Sequence, residues 1–289
     1  MPTTAQDPNT NPTANGLSQF RQFIYDNYDK THGVFSDETE SAWERRFQGH
    51  ISVLRLTLPS NRTAPILDFG CGDGLLLAVA QSLGYSDLTG VDLSEALLQT
   101  AAKRSSAKLN HADGLEFLKA NPDGAFEAII AFDIFEHLTR PELLEVSREI
   151  ARTLKPGGRL ILRVPNGASP FSGNLLWSDL THERPFTKMS CAQLLRPLGF
   201  EHIEVLEIGP VEVHGLKSGI QAALWHFFRA MTVLRIAAAS GQLRGHILTV
   251  NLHIIAHKAC RAGKFLRIIQ GKSALGQISA LSARRLMCR

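Results

Sequence analysis

Seven residues, Asp68-Phe-Gly70-Cys-Gly72-Asp-Gly74, constrain this chain more than any others. They follow a short apolar run, Pro65-Ile-Leu-Asp-Phe, and precede another, Leu75 to Leu83, which Gly84 stops. Glycines at alternate positions let a backbone turn sharply and come close to a ligand. Amides at the start of the following helix favour negative charge. The order strand, glycine turn, helix puts such a loop at the carboxyl end of a first strand, where ligands bind in open α/β sheets. The spacing is G-x-G-x-G, not the G-x-G-x-x-G of dinucleotide sites, and by itself could be no more than a structural turn.

The residues downstream repeat the same rhythm. Leu88-Thr-Gly-Val-Asp92 reads as a second strand, and Ser94 as the cap of a helix to about Lys103, with Glu95 in its first turn. Lys108 to His111 reads as a short third strand, and Phe126 to Phe132 as one buried on both faces. Pro141 suits a helix start; Leu143, Leu144, Ser147, Ile150, Ala151 and Leu154 form the buried stripe of that helix. Lys155-Pro-Gly-Gly158 is expected to stop it before a strand from Arg159 to Val164. This alternation predicts a parallel sheet with helices on both faces. A helix over Ser190 to Leu198 and strands over Phe200 to Glu207 and Ile247 to His257 follow. Between those two strands, Gly209 to His246 contains a mostly apolar helix. Upstream, Phe20, Phe23, Ile24 and Tyr28, then Trp43, Phe47, Ile51, Leu54 and Leu58, fall at helical spacing, and Pro59 ends the second stretch.

With 289 residues, 44% hydrophobic and 20% charged, the chain can bury a large core. Met1 to Gly16 lacks the basic start and apolar centre of a secretory signal and reads as a disordered tail. Cys71, Cys191, Cys260 and Cys288 are not spaced as a metal site or a disulfide framework, which suggests a reducing compartment. Charge is uneven. Residues 1–209 hold 19 Lys or Arg against 26 Asp or Glu, whereas residues 210–289 hold 12 against Glu212 alone. The basic end is either a solvated face or a surface for anionic lipid or glycan; no nucleic-acid motif supports that partner.

Two more acids follow strands in order. Asp92 ends the second strand, 18 residues beyond Gly74, where a carboxylate can accept both hydroxyls of a ribose. Asp113, in His-Ala-Asp-Gly, follows the third, where a carboxylate could bind an adenine amino group. Each acid alone reads as a cap or turn residue, but three in register with three strands point to a ligand.

These segments, with Asp133-Ile-Phe-Glu-His-Leu138 and Leu154-Lys-Pro-Gly-Gly-Arg-Leu-Ile-Leu162, resemble the class I S-adenosylmethionine-dependent methyltransferases over roughly Ile66 to Pro165. The resemblance implies an α/β, doubly wound Rossmann-like seven-stranded sheet with an antiparallel last strand. Here it would carry an N-terminal helical lid (17–60) and a helical insertion (209–246) in a methyltransferase domain of residues 61–259, then a basic tail (260–289). It implies that Asp68, Gly70, Cys71, Gly72 and Gly74 hold the methionine part of S-adenosyl-L-methionine. Asp92 and Leu93 would hold the ribose, Asp113 and Gly114 the adenine, and Phe132 and Asp133 would lie near the sulfonium. Ser178-Asp-Leu-Thr-His-Glu-Arg-Pro-Phe-Thr187 and Gly209-Pro-Val-Glu-Val-His-Gly-Leu-Lys-Ser218 further resemble a bacterial subfamily that accompanies cell-surface polysaccharide assembly.

Methyl transfer to oxygen needs a base, and histidine suits neutral pH. His182, in Thr-His-Glu-Arg, and His137, in Phe-Glu-His-Leu, are the candidates at the carboxyl edge; each could equally be a hydrogen-bonded structural histidine. Arg184 could grip an acceptor carboxylate or phosphate, or form a surface ion pair. Tyr25, Tyr28 and His32 could face the acceptor. No metal is required and no metal-ligand spacing is evident. Leu216 to Ala239, broken by Arg229 and Arg235, falls short of the roughly 20 apolar residues of a membrane span. It could pack on the core, act as a lid, or lie in a membrane interface with Trp225, Phe227 and Phe228 inserted.

The expected activity is O-methylation of a sugar hydroxyl on a surface glycan or its precursor, in the cytoplasm or at the inner face of the membrane, with peripheral contact through 209–246 and the basic tail. A small phenolic, quinone or lipid acceptor is the alternative, since Glu136-His137-Leu138 also occurs in quinone-biosynthesis relatives. A nucleotide-binding oxidoreductase fits the loop spacing and Asp113 poorly, and the intact loop and acids argue against decay to a non-catalytic cofactor-binding or scaffold protein, with turnover as the discriminator.

Overall fold

The computed structural model describes residues 19–20, 23–24, 39–209 and 216–260. The N-terminal tail and the basic tail beyond Cys260 lie outside the described residues. The elements, in order, are α1 (Glu40–Thr57), β1 (Ile66–Phe69), α2 (Leu75–Ser82), β2 (Leu88–Asp92), α3 (Glu95–Arg104), β3 (Lys108–His111), α4 (Gly114–Ala120) and β4 (Phe126–Phe132). A 3-10 turn (Phe135–His137), α5 (Arg140–Thr153), β5 (Leu154–Pro165), α6 (Gly173–Trp177), α7 (Lys188–Leu195), β6 (Phe200–Leu206), α8 (Leu216–Ser240) and β7 (Asn251–Lys258) complete them.

The seven strands form one sheet in the order β3-β2-β1-β4-β5-β7-β6. The first five strands pair in parallel. β7 runs antiparallel to both its neighbours, β5 and β6. The expected doubly wound sheet with a reversed last strand is therefore present.

Strand β4 shows why both faces carry helices. Ile129 and Ala131 join one buried cluster, with Leu118 of α4, Val146 and Ile150 of α5, and Leu195 of α7. Ala128, Ile130 and Phe132 join the other, with Leu54 of α1, Leu77 of α2 and Leu98 of α3. Successive side chains point to opposite faces, so a strand that is apolar and buried at every position from Ala128 to Phe132 must be covered twice. Burying each large side chain contributes about 1.5–3 kcal/mol.

Helix α1 begins at a Thr39 cap, whose hydroxyl accepts from the Ala42 amide. Its last turns belong to the core through Val53, Leu54 and Thr57. Arg159 of β5 donates to the Thr57 carbonyl at 3.0 Å and so holds the carboxyl end of the helix to the sheet.

Three segments differ from the sequence expectation. Lys155-Pro-Gly-Gly158 does not separate helix from strand: β5 already starts at Leu154, which pairs with Phe126, and the run forms a bulge with Gly157 at φ 77°. β7 starts at Asn251 rather than Ile247 because the preceding carbonyls are used elsewhere. The Asn166 amide donates to Ile247 and Thr249, and Ser169 donates to Leu248. In α8, Trp225 is not on the outward face with Phe227 and Phe228. Its ring lies against Gly209 and near Arg229, which pairs with Glu207 at 2.6 Å. Phe227 and Phe228 are both exposed. No described helix is long and apolar enough to cross a membrane. Cys71 and Cys191 are buried free thiols, but Cys260 is disulfide-bonded, so spacing misjudged that cysteine.

Gly74 is where the loop after β1 meets α3. It sits at φ 79°, and a Cβ there would come within 2.9 Å of the Ala101 Cα. A side chain would have to adopt left-handed backbone and push a helix away. Gly74→Ala should cost about 2–4 kcal/mol, within the range of severe core changes. Urea unfolding that differs from wild type by less than about 0.5 kcal/mol would mean the helix yields freely.

Candidate functional site

The carboxyl ends of β1, β2 and β4 meet at the glycine loop. Gly70, Gly72 and Gly74 all have positive φ. At Gly70 a Cβ would collide with the side chain of Ile134, just beyond β4. The Gly72 amide donates to Asp92 Oδ2 at 2.8 Å, and Ser94 donates to Asp92 Oδ1 at 2.8 Å. Asp92 thus ties the first loop to the end of β2 while remaining partly exposed. Cys71 is buried, its sulfur close to Gly90, and burial raises its thiol pKa so that it stays protonated.

Asp68 lies beneath this loop, 1% exposed, with no hydrogen-bond partner for either carboxylate oxygen. Burial, helped by Asp92 and Asp73, pushes its pKa up to about 8. A buried carboxyl without partners costs free energy until a donor or a cation reaches it. Asp73, by contrast, is buried and paired twice, with Arg46 of α1 at 2.6 Å and Arg104 of α3 at 2.5 Å.

Asp113 is the cap of α4. Its Oδ1 accepts from the Leu115 and Glu116 amides at 2.9 and 3.0 Å, leaving Oδ2 as the oxygen that could meet a ligand. Leu93 is exposed, and Gly114 packs on the Phe69 ring.

Two adjoining cavities share Arg46, His50 and Arg163. The smaller, about 140 Å³, is lined by Gly70, Cys71, Gly72, Asp73, Leu97 and Phe132. The larger, about 570 Å³, is lined by Arg45, Val53, Ile208, Gly209 and His253. Their common wall is a fixed network. Arg163 forks onto Asp133, with Nε to Oδ1 at 2.9 Å and Nη2 to Oδ2. Its Nη1 donates to His50 Nε2 at 2.7 Å. His50 Nδ1 then donates to the Arg46 carbonyl at 2.6 Å, so the ring is held as one neutral tautomer. Burial and the Arg163 charge lower the pKa of His50, and push that of His253 down to about 4. Asp133 is the one described non-glycine residue with positive φ, at 55°, and such strained positions cluster at functional sites.

His137 and His182 come together although 45 positions apart in sequence, with ring centroids 4.7 Å apart. The Glu183 amide donates to the Glu136 carbonyl at 2.7 Å, docking the loop that carries His182 onto the turn that carries His137. Glu136 itself is 1% exposed, its Oε2 has no partner, and burial pushes its pKa up to about 8. Arg184 lies 3.9 Å from neighbouring Glu183 and lines neither cavity. Tyr25, Tyr28 and His32 lie outside the described residues.

Sequence reasoning missed Arg46, His50, Arg163, His253 and Glu136. Arg163 had a signal: it shares a strand face with Ile161 and lies between buried Leu162 and Val164, where a charge is anomalous. His253 is its register partner across β7, which only the fold reveals.

Residues 66–158 match the family described as "Methyltransferase domain". The chain is 35% identical over 116 residues to a ubiquinone biosynthesis O-methyltransferase of Xanthomonas campestris pv. campestris, covering 39% of this chain and 46% of that protein. The chain therefore spans less than half the length of the curated relatives it matches. Its fold is that of a SAM-dependent methyltransferase from Archaeoglobus fulgidus (TM-score 0.55, 20% identity, 73% of this chain and 94% of that one). It is also that of the Burkholderia thailandensis 1,6-didemethyltoxoflavin-N1-methyltransferase with bound S-adenosylhomocysteine (TM-score 0.51, 18% identity, 90% and 93%).

The state of Asp68 is testable without any ligand. Its folded pKa of about 8 exceeds the unfolded value of about 3.9, so the folded chain holds a proton that the unfolded chain has lost between those values. Stability contributed through this group falls as pH rises across that window, by up to about 1.4 kcal/mol per pH unit. Asp68→Asn should flatten the slope between pH 5 and 8 in urea unfolding; an unchanged slope would show that Asp68 is ionised in the folded protein.

Proposed function

We propose that this chain is an S-adenosylmethionine-dependent methyltransferase whose donor occupies the glycine loop and whose acceptor is a hydroxylated small molecule. The observation that carries the reading is the partnerless buried carboxyl of Asp68 beneath a loop of positive-φ glycines. Asp68 and the loop would hold the methionine part, the Asp68 carboxylate answering its amino group. Asp92 would face the ribose, with Leu93 beside it, and Asp113 Oδ2 with Gly114 the adenine. The Phe132 ring, a wall of the smaller cavity, offers a π face to a positive sulfur. Bound there, S-adenosylmethionine supplies a methyl group on a cationic sulfur that leaves as a neutral thioether.

The remaining work falls to this chain's residues: hold the acceptor in line, exclude water and remove its proton. His137 and His182 are assigned to activating the acceptor hydroxyl. As its proton leaves, the oxygen bonds to the methyl carbon, and the carbon–sulfur bond breaks with its electron pair going to sulfur. An apolar, ring-bearing acceptor fits the surroundings of these histidines. Phe171, Trp177 and Leu180 are all exposed on the same stretch, and Trp177 directly follows Leu176, whose carbonyl holds His182. The partial likeness to a quinone-pathway enzyme supports the phenolic or quinone alternative. The sugar reading rests on sequence resemblance alone. Arg184 remains a candidate for an acidic group on the acceptor.

Two measurements test the reading. Calorimetric titration with S-adenosylhomocysteine should give micromolar or tighter binding, weakened at least tenfold in Asp92→Ala. Because Asp92 also holds the Gly72 amide, Asp92→Asn should lose less. Equal affinity in all three would remove the ribose assignment. His182→Ala should lower turnover of a catechol or quinol at least 100-fold, in keeping with loss of acid–base activation, with donor-product affinity within about twofold. Methylation of a sugar panel and of no phenol would reverse the acceptor assignment.

A further inference from the structure

The histidine pair is one half of a constellation that methyl transfer alone leaves unexplained. Glu136, His137 and His182 each present a metal-ligating atom within 4.8 Å of those of the other two. The surrounding hydrogen bonds fix what these atoms are. Asp179 Oδ1 can only accept, so the Thr181 hydroxyl, 2.6 Å away, donates to it. Thr181 Oγ1 must then accept from His137 Nδ1 at 2.7 Å, so Nδ1 carries a proton and only Nε2 can serve as a ligand. The carbonyl of Leu176 can only accept from His182 Nδ1 at 3.2 Å, with the same result. The two rings thus join Glu136, whose buried Oε2 has no hydrogen-bond partner.

We propose that Glu136, His137 and His182 bind a divalent first-row transition-metal cation through one carboxylate oxygen and two Nε2 atoms. Metal–ligand bonds of about 2.0–2.2 Å put ligand atoms roughly 3–4 Å apart, so modest side-chain rotation closes the site. Imidazole and carboxylate suit zinc, manganese, iron or cobalt, and do not suit calcium or magnesium, which prefer oxygen. The outer contacts match what metal-bound histidines need: each Nδ1–H is already committed, one to a carbonyl and one through Thr181 to a carboxylate. Three protein ligands leave coordination positions open, as in catalytic rather than structural sites. Resting on the methyl-transfer reading, the cation would bind the acceptor hydroxyl and lower its pKa, so that the imidazoles act through the cation and the proton passes to water.

The probe is Co²⁺, titrated into the full chain after chelator dialysis and followed by its visible absorption. One equivalent should bind with the d–d bands of a histidine-ligated ion, and S-adenosylhomocysteine affinity is measured in parallel. Glu136→Gln, which keeps the side chain's shape, and His182→Ala should each weaken Co²⁺ binding at least tenfold. The exposed His226→Ala should not, which matters in a chain with 11 histidines. Circular dichroism checks that each variant folds; if His182→Ala does not, His182→Gln replaces it. Identical Co²⁺ titrations in wild type and Glu136→Gln would overturn the cation site, as would the absence of d–d bands in wild type. Co²⁺ binding without homocysteine-adduct binding would leave the cation site standing and remove the methyl-transfer reading.

Discussion

A parallel sheet buried on both faces leaves its chemistry one place to go. Every strand of the first five sends its backbone out at the same edge, and the helices covering the two faces occupy the rest. The centre of the sheet is apolar and buried, as β4 shows from Ala128 to Phe132. Polar groups accumulate where the strands end: Asp68 and the glycine loop after β1, Asp92 at the end of β2, Asp133 and Glu136 after β4, Arg163 near the end of β5. Both candidate sites follow from that constraint, and neither needs a separate domain to carry it.

The charges at this edge are unequally satisfied, and the inequality is informative. Asp73 and Asp133 each have an arginine within ion-pair distance. Arg163 also orients His50, so acids, arginines and one histidine form a rigid wall between the two cavities. Asp68 has no such partner on either oxygen and Glu136 has none on Oε2, although both residues are almost fully buried. In a fold that elsewhere supplies an arginine or an amide to its acids, these unpaired oxygens at the same edge support the donor and cation sites proposed above. One lies beneath the loop, the other beside the histidines, which separates a donor side from an activating side.

How far the sequence could be read depended on the range of the interactions involved. The loop from Asp68 to Gly74 and the strand endings at Asp92 and Asp113 are local: glycine torsions, a period of two, a cap. They were legible, as were the sheet class and its reversed last strand. The boundary errors have the same origin in reverse. Lys155 to Gly158 was read as a stop because its composition is that of a turn, yet pairing of Leu154 with Phe126 absorbs it into a bulged strand. Ile247 to Val250 has strand composition, but Asn166 and Ser169 take its carbonyls. Arg163 with His253, and His137 with His182, are pairs set by strand register and loop docking, which no spacing rule encodes.

The loop around His182 shows how such a pair becomes specific. Thr181 is buried between Asp179 and His137, and it serves both the loop's own turn and the ring of a residue on another element. Glu183 then closes the docking through the Glu136 carbonyl. A shift of one residue in this loop would move Thr181 into the place of His182 and Leu180 into that of Thr181, leaving a hydroxyl where a second imidazole now stands. The proton order from His137 through Thr181 to Asp179 is therefore tied to the backbone register of the loop, and so is the orientation of the His137 ring. Chemistry at this edge is governed less by which residues are present than by which neighbour consumes each Nδ1 proton, because that choice decides what the facing nitrogens can accept.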